Sequence, residues 1–214
     1  MSHGVHAVQH EAEHKIQHDK EHSGGGHVDS TSLNKRVALL IAVLALFLAF
    51  SETLGKSAQT NALNFQIEAS NLWNFFQAKN IRRTLTLVAA ESAKVDLTTT
   101  TDETRKTALA KQIDDWGKTA ARYRSEPEAG GGKGEGTLEL ARRAIEEQNL
   151  RDTALARYHH YEIASAAFQI GIVLASSTVI TGILVLSYLA ASLGVGGLIF
   201  MAIGLYAPNA VHLF

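Results

Sequence analysis

Three long apolar stretches bracket a polar middle, and few folds accommodate that layout. The first runs from Val37 to about Leu54, the second from about Ala166 to Ala191, and the third from about Gly194 to Phe214. Each approaches the roughly 20 apolar residues that carry a helix across a bilayer. The expectation is therefore an all-α membrane protein with three transmembrane helices, at 34–55, 166–192 and 193–214. A polar tail occupies 1–33, and a long helical, coiled-coil-like stalk fills 56–165 between the first and second spans.

Composition narrows the function classes. Hydrophobic residues make up 46% of the 214 residues, yet mean hydropathy is near zero, as expected when apolar spans are diluted by a strongly polar remainder. The net charge of -1 gives no argument for a nucleic-acid partner. With no cysteine there is no disulfide framework, thiolate metal site or cysteine nucleophile. The only prolines are Pro127 and Pro208, so little interrupts a helix over long distances.

The first span reads as an uncleaved anchor, because it follows a long acidic, His-rich leader and no small-x-small cleavage site precedes Ser51-Glu52-Thr53. Lys35 and Arg36 stand just before it and only Lys56 follows closely. The positive-inside bias then puts the N-terminus in the cytosol and the stalk outside. The last two spans form a hairpin turning at Ser192 to Gly197.

The polar middle has helical spacing and no sustained strand alternation. Leu109, Ile113, Trp116, Ala120 and Tyr123 form one stripe. Ile81, Leu85, Val88, Ser92 and Val95 form a second, and Leu138, Ala141, Ile145, Gln148, Asp152 and Leu155 a third. These resemble short coiled-coil seams. Turns are expected near 97–102, where Thr101 or Asp102 can cap a helix, and near 127–136, which is glycine-rich. Only Gly55 separates the first span from the helix after it, so 34–95 would reach roughly 90 Å if fully helical. Stripes so narrow bury little surface alone, and self-association into a homo-oligomer, or inclusion in a larger membrane complex, would cover them.

The run Ala69-Ser70-Asn71-Leu72-Trp73-Asn74-Phe75-Phe76-Gln77-Ala78-Lys79-Asn80-Ile81-Arg82 resembles the A-S-x-x-W-x-[YF]-[YF]-Q-A-K signature of the DUF4337 family of bacterial membrane proteins. Arg157-Tyr158-His159-His160-Tyr161-Glu162 and Phe168 to Ser176 are similar to it as well. The Gly-rich insert at Ala129 to Gly136 and the lack of basic residues between the last two spans depart from the family pattern. The resemblance implies the three-span architecture in a bacterial inner membrane, with the stalk periplasmic. It implies no reaction, because the family's role is not established.

Three features carry chemistry. Trp73, Phe76, Gln77 and Asn80 share one helical face beside a basic edge of Lys79, Arg82 and Arg83. The face reads as an oligomer or packing motif, with an anionic-ligand site as the alternative. Seven of the ten histidines precede residue 28, and His6, His10, His14, His18 and His22 recur every fourth residue. Neighbours at that spacing can share a weakly bound divalent metal; the bland alternative is a solvated, pH-responsive tail. His10-Glu11-Ala12-Glu13-His14 matches H-E-x-x-H but lies in a polar tail with neither a third ligand nor a walled cleft, so a peptidase is rejected. Gly130-Gly131-Gly132-Lys133-Gly134 has the wrong spacing for a phosphate loop and reads as a flexible turn. Glu52, at the end of the first span, either pairs with Lys56 or contributes to an acidic ring at the mouth of a cation pore.

No catalytic constellation and no cofactor emerge. The leading expectation is a non-catalytic membrane scaffold or accessory subunit, contacting lipid and copies of itself. The alternatives are a cation-conducting oligomer and a metal-binding membrane protein.

Overall fold

Helices follow wherever breakers are missing. Between His27 and Thr99 there is no proline and a single glycine, Gly55, and this whole stretch is one helix, α1 (His27–Thr99). It is followed by α2 (Glu103–Arg124), α3 (Thr137–Thr181) and α4 (Leu184–Tyr206). The structure, a computed structural model, describes residues 27–210; among these there is no strand. Three of the helices, α1, α3 and α4, are long and apolar enough to cross a membrane.

The ends have local causes. Asp102, in extended conformation, accepts a hydrogen bond from the Thr104 N–H at 2.9 Å and so caps α2. Arg122 and Arg124 lie in the last turn of α2, where cations favour the helix dipole. The chain is out of helix at 100–102 and at 125–136. Gly182 ends α3 in the left-handed region (φ 72), donating its N–H to Thr178 O at 2.8 Å.

That last turn corrects the expected hairpin. The chain reverses at Gly182 and Ile183, not at Ser192 to Gly197, which lie inside α4. The apolar segments accordingly end and begin about ten residues earlier than 166–192 and 193–214 imply. Gly194 and Gly197 read as breakers in the sequence, but in an apolar helix glycine more often serves close packing.

The chain divides into two compact units. The described residues of unit 1 are 27–54 and 160–207. Here Val37 packs with Ala175 and Ala190, and Leu44 with Ala164 and Phe168. The buried positions of α4 are Ala190, Gly194, Gly197 and Gly204, a line of small residues that receives larger side chains. A Cβ added at Gly194 would lie 2.6 Å from Leu44 Cδ2, and one at Gly197 would lie 2.7 Å from the Phe168 ring. Ser51, fully buried, donates its hydroxyl to Tyr161 O at 2.8 Å. His160, also fully buried, stacks on Phe200 with ring centroids 6.3 Å apart.

Unit 2 comprises residues 55–159, joined by 208–210. Along α1 the buried positions are Gly55, Ala58, Ala62, Ala69, Leu72, Lys79, Ala90 and Ala93. Half-buried Phe65, Phe76, Arg83 and Thr86 fill the intervals, so the inward line advances by alternating steps of four and three. This is a period of 3.5 residues, the spacing that keeps one face on a neighbouring helix over a long distance. On α3, Leu140, Ala144, Arg151, Ala154 and Tyr158 occupy the matching line, with Arg151 and Tyr158 half-buried. Leu72, Leu140 and Ala144 form a cluster flanked by Trp73 and Phe76. Complete burial of Leu140 alone contributes about 1.5–3 kcal/mol.

The phase of these lines departs from the sequence reading. The α2 stripe does face inward, with Ala120 buried and Leu109, Ile113, Trp116 and Tyr123 half-buried. The α1 stripe faces outward: Ile81 is 60% exposed, Leu85 64%, Val88 61% and Val95 64%. Leu138, Ile145, Asp152 and Leu155 of the α3 stripe are exposed too, with only Ala141 and Gln148 half-buried. Large aliphatics draw the eye in a sequence, but closely approaching helices bury alanine.

Candidate functional site

The chemistry of unit 2 gathers where α1, α2 and the loop at 125–136 meet. Lys79 lies on the inward line of α1, one 3.5-residue step past Phe76, and is buried. Its Nζ is 3.3 Å from Glu126 Oε2 and 3.6 Å from Glu135 Oε2. It also lies 5.3 Å from the centroid of the Phe75 ring, within cation–π range. Arg122 Nε approaches the other oxygen of Glu126 at 3.7 Å. Two cations thus face two carboxylates, and the buried ammonium is compensated as burial requires. Residues 79 and 126 stand about equally far from the turn at 100–102, so this part of α1 and α2 pair antiparallel.

The loop carrying the two glutamates is held at both ends. Glu139, in the first turn of α3, accepts hydrogen bonds from the Ser125 hydroxyl and from the Glu126 N–H. The Ser125 hydroxyl bond holds the Glu139 carboxyl below its ordinary value, against the opposing effect of burial. Thr137 Oγ1 donates to Arg124 O at 3.3 Å, and Arg143 Nη1 to Gly134 O at 3.3 Å. Gly130, Gly131, Gly132 and Gly134 all have positive φ, a backbone path that needs glycine. Gly136 is required for space: an added Cβ would stand 2.5 Å from Ser125 Cα. The stretch read as a flexible turn is therefore a shaped loop that delivers Glu126 and Glu135 to Lys79.

The sequence-derived site residues are distributed as follows. Trp73 and Phe76 come together, ring centroids 5.4 Å apart and edge-to-face, against Leu72, Leu140 and Ala144. Gln77 and Asn80, assigned to the same face, are exposed. Lys79, read as part of a basic edge with Arg82 and Arg83, turns inward and away from Arg82. Its place in the series 72, 76, 79 was the available signal. Glu52 is exposed and accepts from Gln169 Nε2 at 3.4 Å, its partner among the described residues, instead of pairing with Lys56. Its neighbour Ser51, singled out by nothing in the sequence reading, makes the buried bond. His6, His10, His14, His18 and His22 lie outside the described residues. Among the described residues no group of three or more His, Asp and Glu side chains is placed to hold a metal ion.

With this geometry in hand, comparison with known proteins adds one finding. The family model described as a domain of unknown function, DUF4337, matches residues 33–207. The chain belongs to the DUF4337 family. The matched region of this DUF4337 protein takes in the Lys79 cluster, the shaped loop and nearly all of α1, α3 and α4. Among curated proteins and solved structures, nothing matches it.

Proposed function

We propose that this DUF4337 protein is a non-catalytic, multi-pass protein of the bacterial inner membrane. In this reading unit 1 is the membrane anchor and unit 2 a periplasmic helical stalk. The stalk associates with further copies of the chain, and the protein acts as a scaffold or accessory subunit. Lys35 and Arg36 before the first apolar run favour a cytosolic N-terminus. The single observation that carries the assembly reading is the row of Ile81, Leu85, Val88 and Val95, more than half exposed on a helix of the polar unit. Contiguous apolar surface in contact with water marks an interaction site. The Lys79 cluster supports a structural role, since each of its charges faces an opposite charge. The test is the native mass of the full chain in mild detergent. Two or more copies per particle are expected, and a particle of one copy removes the proposal.

One observation favours a second reading. Glu52 and Gln169 form an exposed polar pair between two helices that each carry an apolar, span-length run. A carboxylate so placed is costly against lipid and fits a ring of Glu52 side chains around an oligomer axis, conducting cations. Planar-bilayer recordings decide between the two. Reproducible cation currents abolished by Glu52→Gln select the conductor, and their absence from oligomeric protein leaves the scaffold.

A further inference from the structure

The three helices of unit 1 keep level with one another. Val37 of α1 packs with Ala175 of α3 and Ala190 of α4. Nearer the other end, the Ser51 hydroxyl meets Tyr161 O, and a Cβ added at Gly204 would lie 3.0 Å from the Tyr161 ring. Fourteen residues separate these two levels on each helix, about 21 Å of rise. Past the Ser51 level the apolar belt closes at once, with exposed Glu52 on α1 and Tyr206, 84% exposed, on α4. Past the Val37 level the helices part company. α1 reaches exposed Arg36 and Lys35 within two residues. α3 and α4 run on for six residues each, 176–181 and 184–189, about 9 Å further. That extension and its turn hold no Asp, Glu, Lys or Arg. They are also open and apolar: Ile180 is 86% exposed, Ile183 52%, Leu184 46% and Val185 62%.

We infer that the bilayer border at this end lies at the Gly182 turn, and that Lys35 and Arg36, set back from it, take the phosphate of an anionic phospholipid as their counter-charge. The inference rests on the membrane-anchored reading above and locates its border and its lipid. A hydrocarbon layer of about 30 Å, measured from the Ser51 level, takes in both the shared belt and the hairpin extension. A border at Arg36 would leave a layer of only about 21 Å and set four large aliphatic side chains in water. Helical side chains lean toward the N-terminus of their own helix, and in α1 that direction leads from Val37 toward the level of the turn. The stems of Lys35 and Arg36 can therefore lie along apolar surface while their charges rise to the border. Beyond Glu162, neither α3 nor α4 holds a carboxylate to meet them, and the nearest acid before them on α1 is Asp29, six residues from Lys35. A headgroup phosphate is the anion that a bilayer places at this height. An ammonium beside a guanidinium fork suits its oxygens.

The chain has no cysteine, so single-cysteine variants of the full protein can report depth. Each is labelled with bimane in detergent and reconstituted into vesicles of phosphatidylcholine and phosphatidylglycerol that carry a nitroxide at the headgroup or along the acyl chain. Ile180→Cys and Val185→Cys probe the extension. Val195→Cys and Val173→Cys, at positions 59% and 64% exposed, probe the belt. The inference expects all four to be quenched more by the acyl-chain nitroxide than by the headgroup one. Two positions per region are used so that one misfolded variant, detected by lost helical circular dichroism, leaves the other informative. Quenching of the extension from the headgroup alone, with the belt still quenched from the chains, overturns the inference and leaves the anchor intact. Quenching at neither belt position overturns both. The lipid is read by native mass spectrometry of the full chain released with what it binds. Wild type is expected to retain phosphatidylglycerol several-fold over phosphatidylcholine. The double substitution Lys35→Gln, Arg36→Gln should abolish that preference, and Lys35→Arg should keep it. A preference that is absent from wild type, or that survives the double substitution, overturns the inference.

Discussion

Units 1 and 2 solve the same packing problem with opposite materials. In unit 1 large side chains point inward, Leu44 and Phe168, and glycines of α4 make room for them. In unit 2 most fully buried positions of α1 are alanine, with Leu72 and Lys79 among them, while Ile81, Leu85, Val88 and Val95 point outward. Both units expose aliphatic side chains, yet the exposure has different meanings. Around helices apolar enough to cross a membrane, an outward leucine would meet hydrocarbon at no cost in a bilayer. Around the charged hairpin of unit 2 the same side chain meets water, and each apolar Å² left there forgoes about 25 cal/mol. On the reading proposed above, the contrast makes unit 2 the unit whose exposed apolar side chains favour a partner.

Substitutions can break or sharpen this contrast. The largest effect belongs to the knob of unit 1. Phe168→Ala empties a fully buried site and is expected to destabilise by about 3–5 kcal/mol, read as a lowered thermal midpoint in detergent. Lys79→Ala strips Glu126 and Glu135 of their shared cation. A loss of about 1.5–3 kcal/mol is expected, with faster proteolytic nicking in 125–136. If nicking is unchanged, the loop is held by the Ser125–Glu139 end alone. Gly197→Ala pushes a methyl into the Phe168 ring and should cost about 1–3 kcal/mol. The same change at Gly117, with nothing within 4 Å, should stabilise slightly by raising helix propensity. Val88→Gln, on the exposed ridge, should move the stability of a single chain by no more than about 0.5 kcal/mol. A larger loss would mean the ridge is covered in solution.

The smallest effect is a pH dependence confined to the loop. The Ser125 hydroxyl bond lowers the Glu139 pKa in the folded chain. Its stabilising contribution is therefore complete above the ordinary carboxylate value and is lost as pH falls through the lower, folded value. Amide exchange at Ser125 and Glu126 should quicken over that acidic window, and Glu139→Gln should flatten the response.

The helical class and the continuity of α1 were legible, because hydropathy and the scarcity of proline and glycine declare them directly. Glycine was harder, because one residue type serves two ends. Gly182 forms the turn, while Gly194 and Gly197, inside the stretch expected to turn, pack. What separates them is whether a bulky side chain from another helix arrives opposite, and that is decided by tertiary register. The same holds for the stripes of α1 and α3. Two faces of one helix can both repeat at 3.5 residues, and bulk pointed to the wrong one. The burial of Lys79 was not legible because a lysine just before Arg82 and Arg83 suggests a wet surface, and its counter-charges come from a loop more than forty residues away in sequence.

The Ser51 bond has a mechanical corollary. Apolar knobs such as Leu44 and Phe168 hold neighbouring helices by shape alone, without a directional bond. The hydroxyl seated on Tyr161 O adds a directional detent between α1 and α3. A slip of one residue, about 1.5 Å, would strand a buried hydroxyl. Motion within unit 1 is thereby steered away from piston-like travel of α1 against α3 and toward tilting about that point.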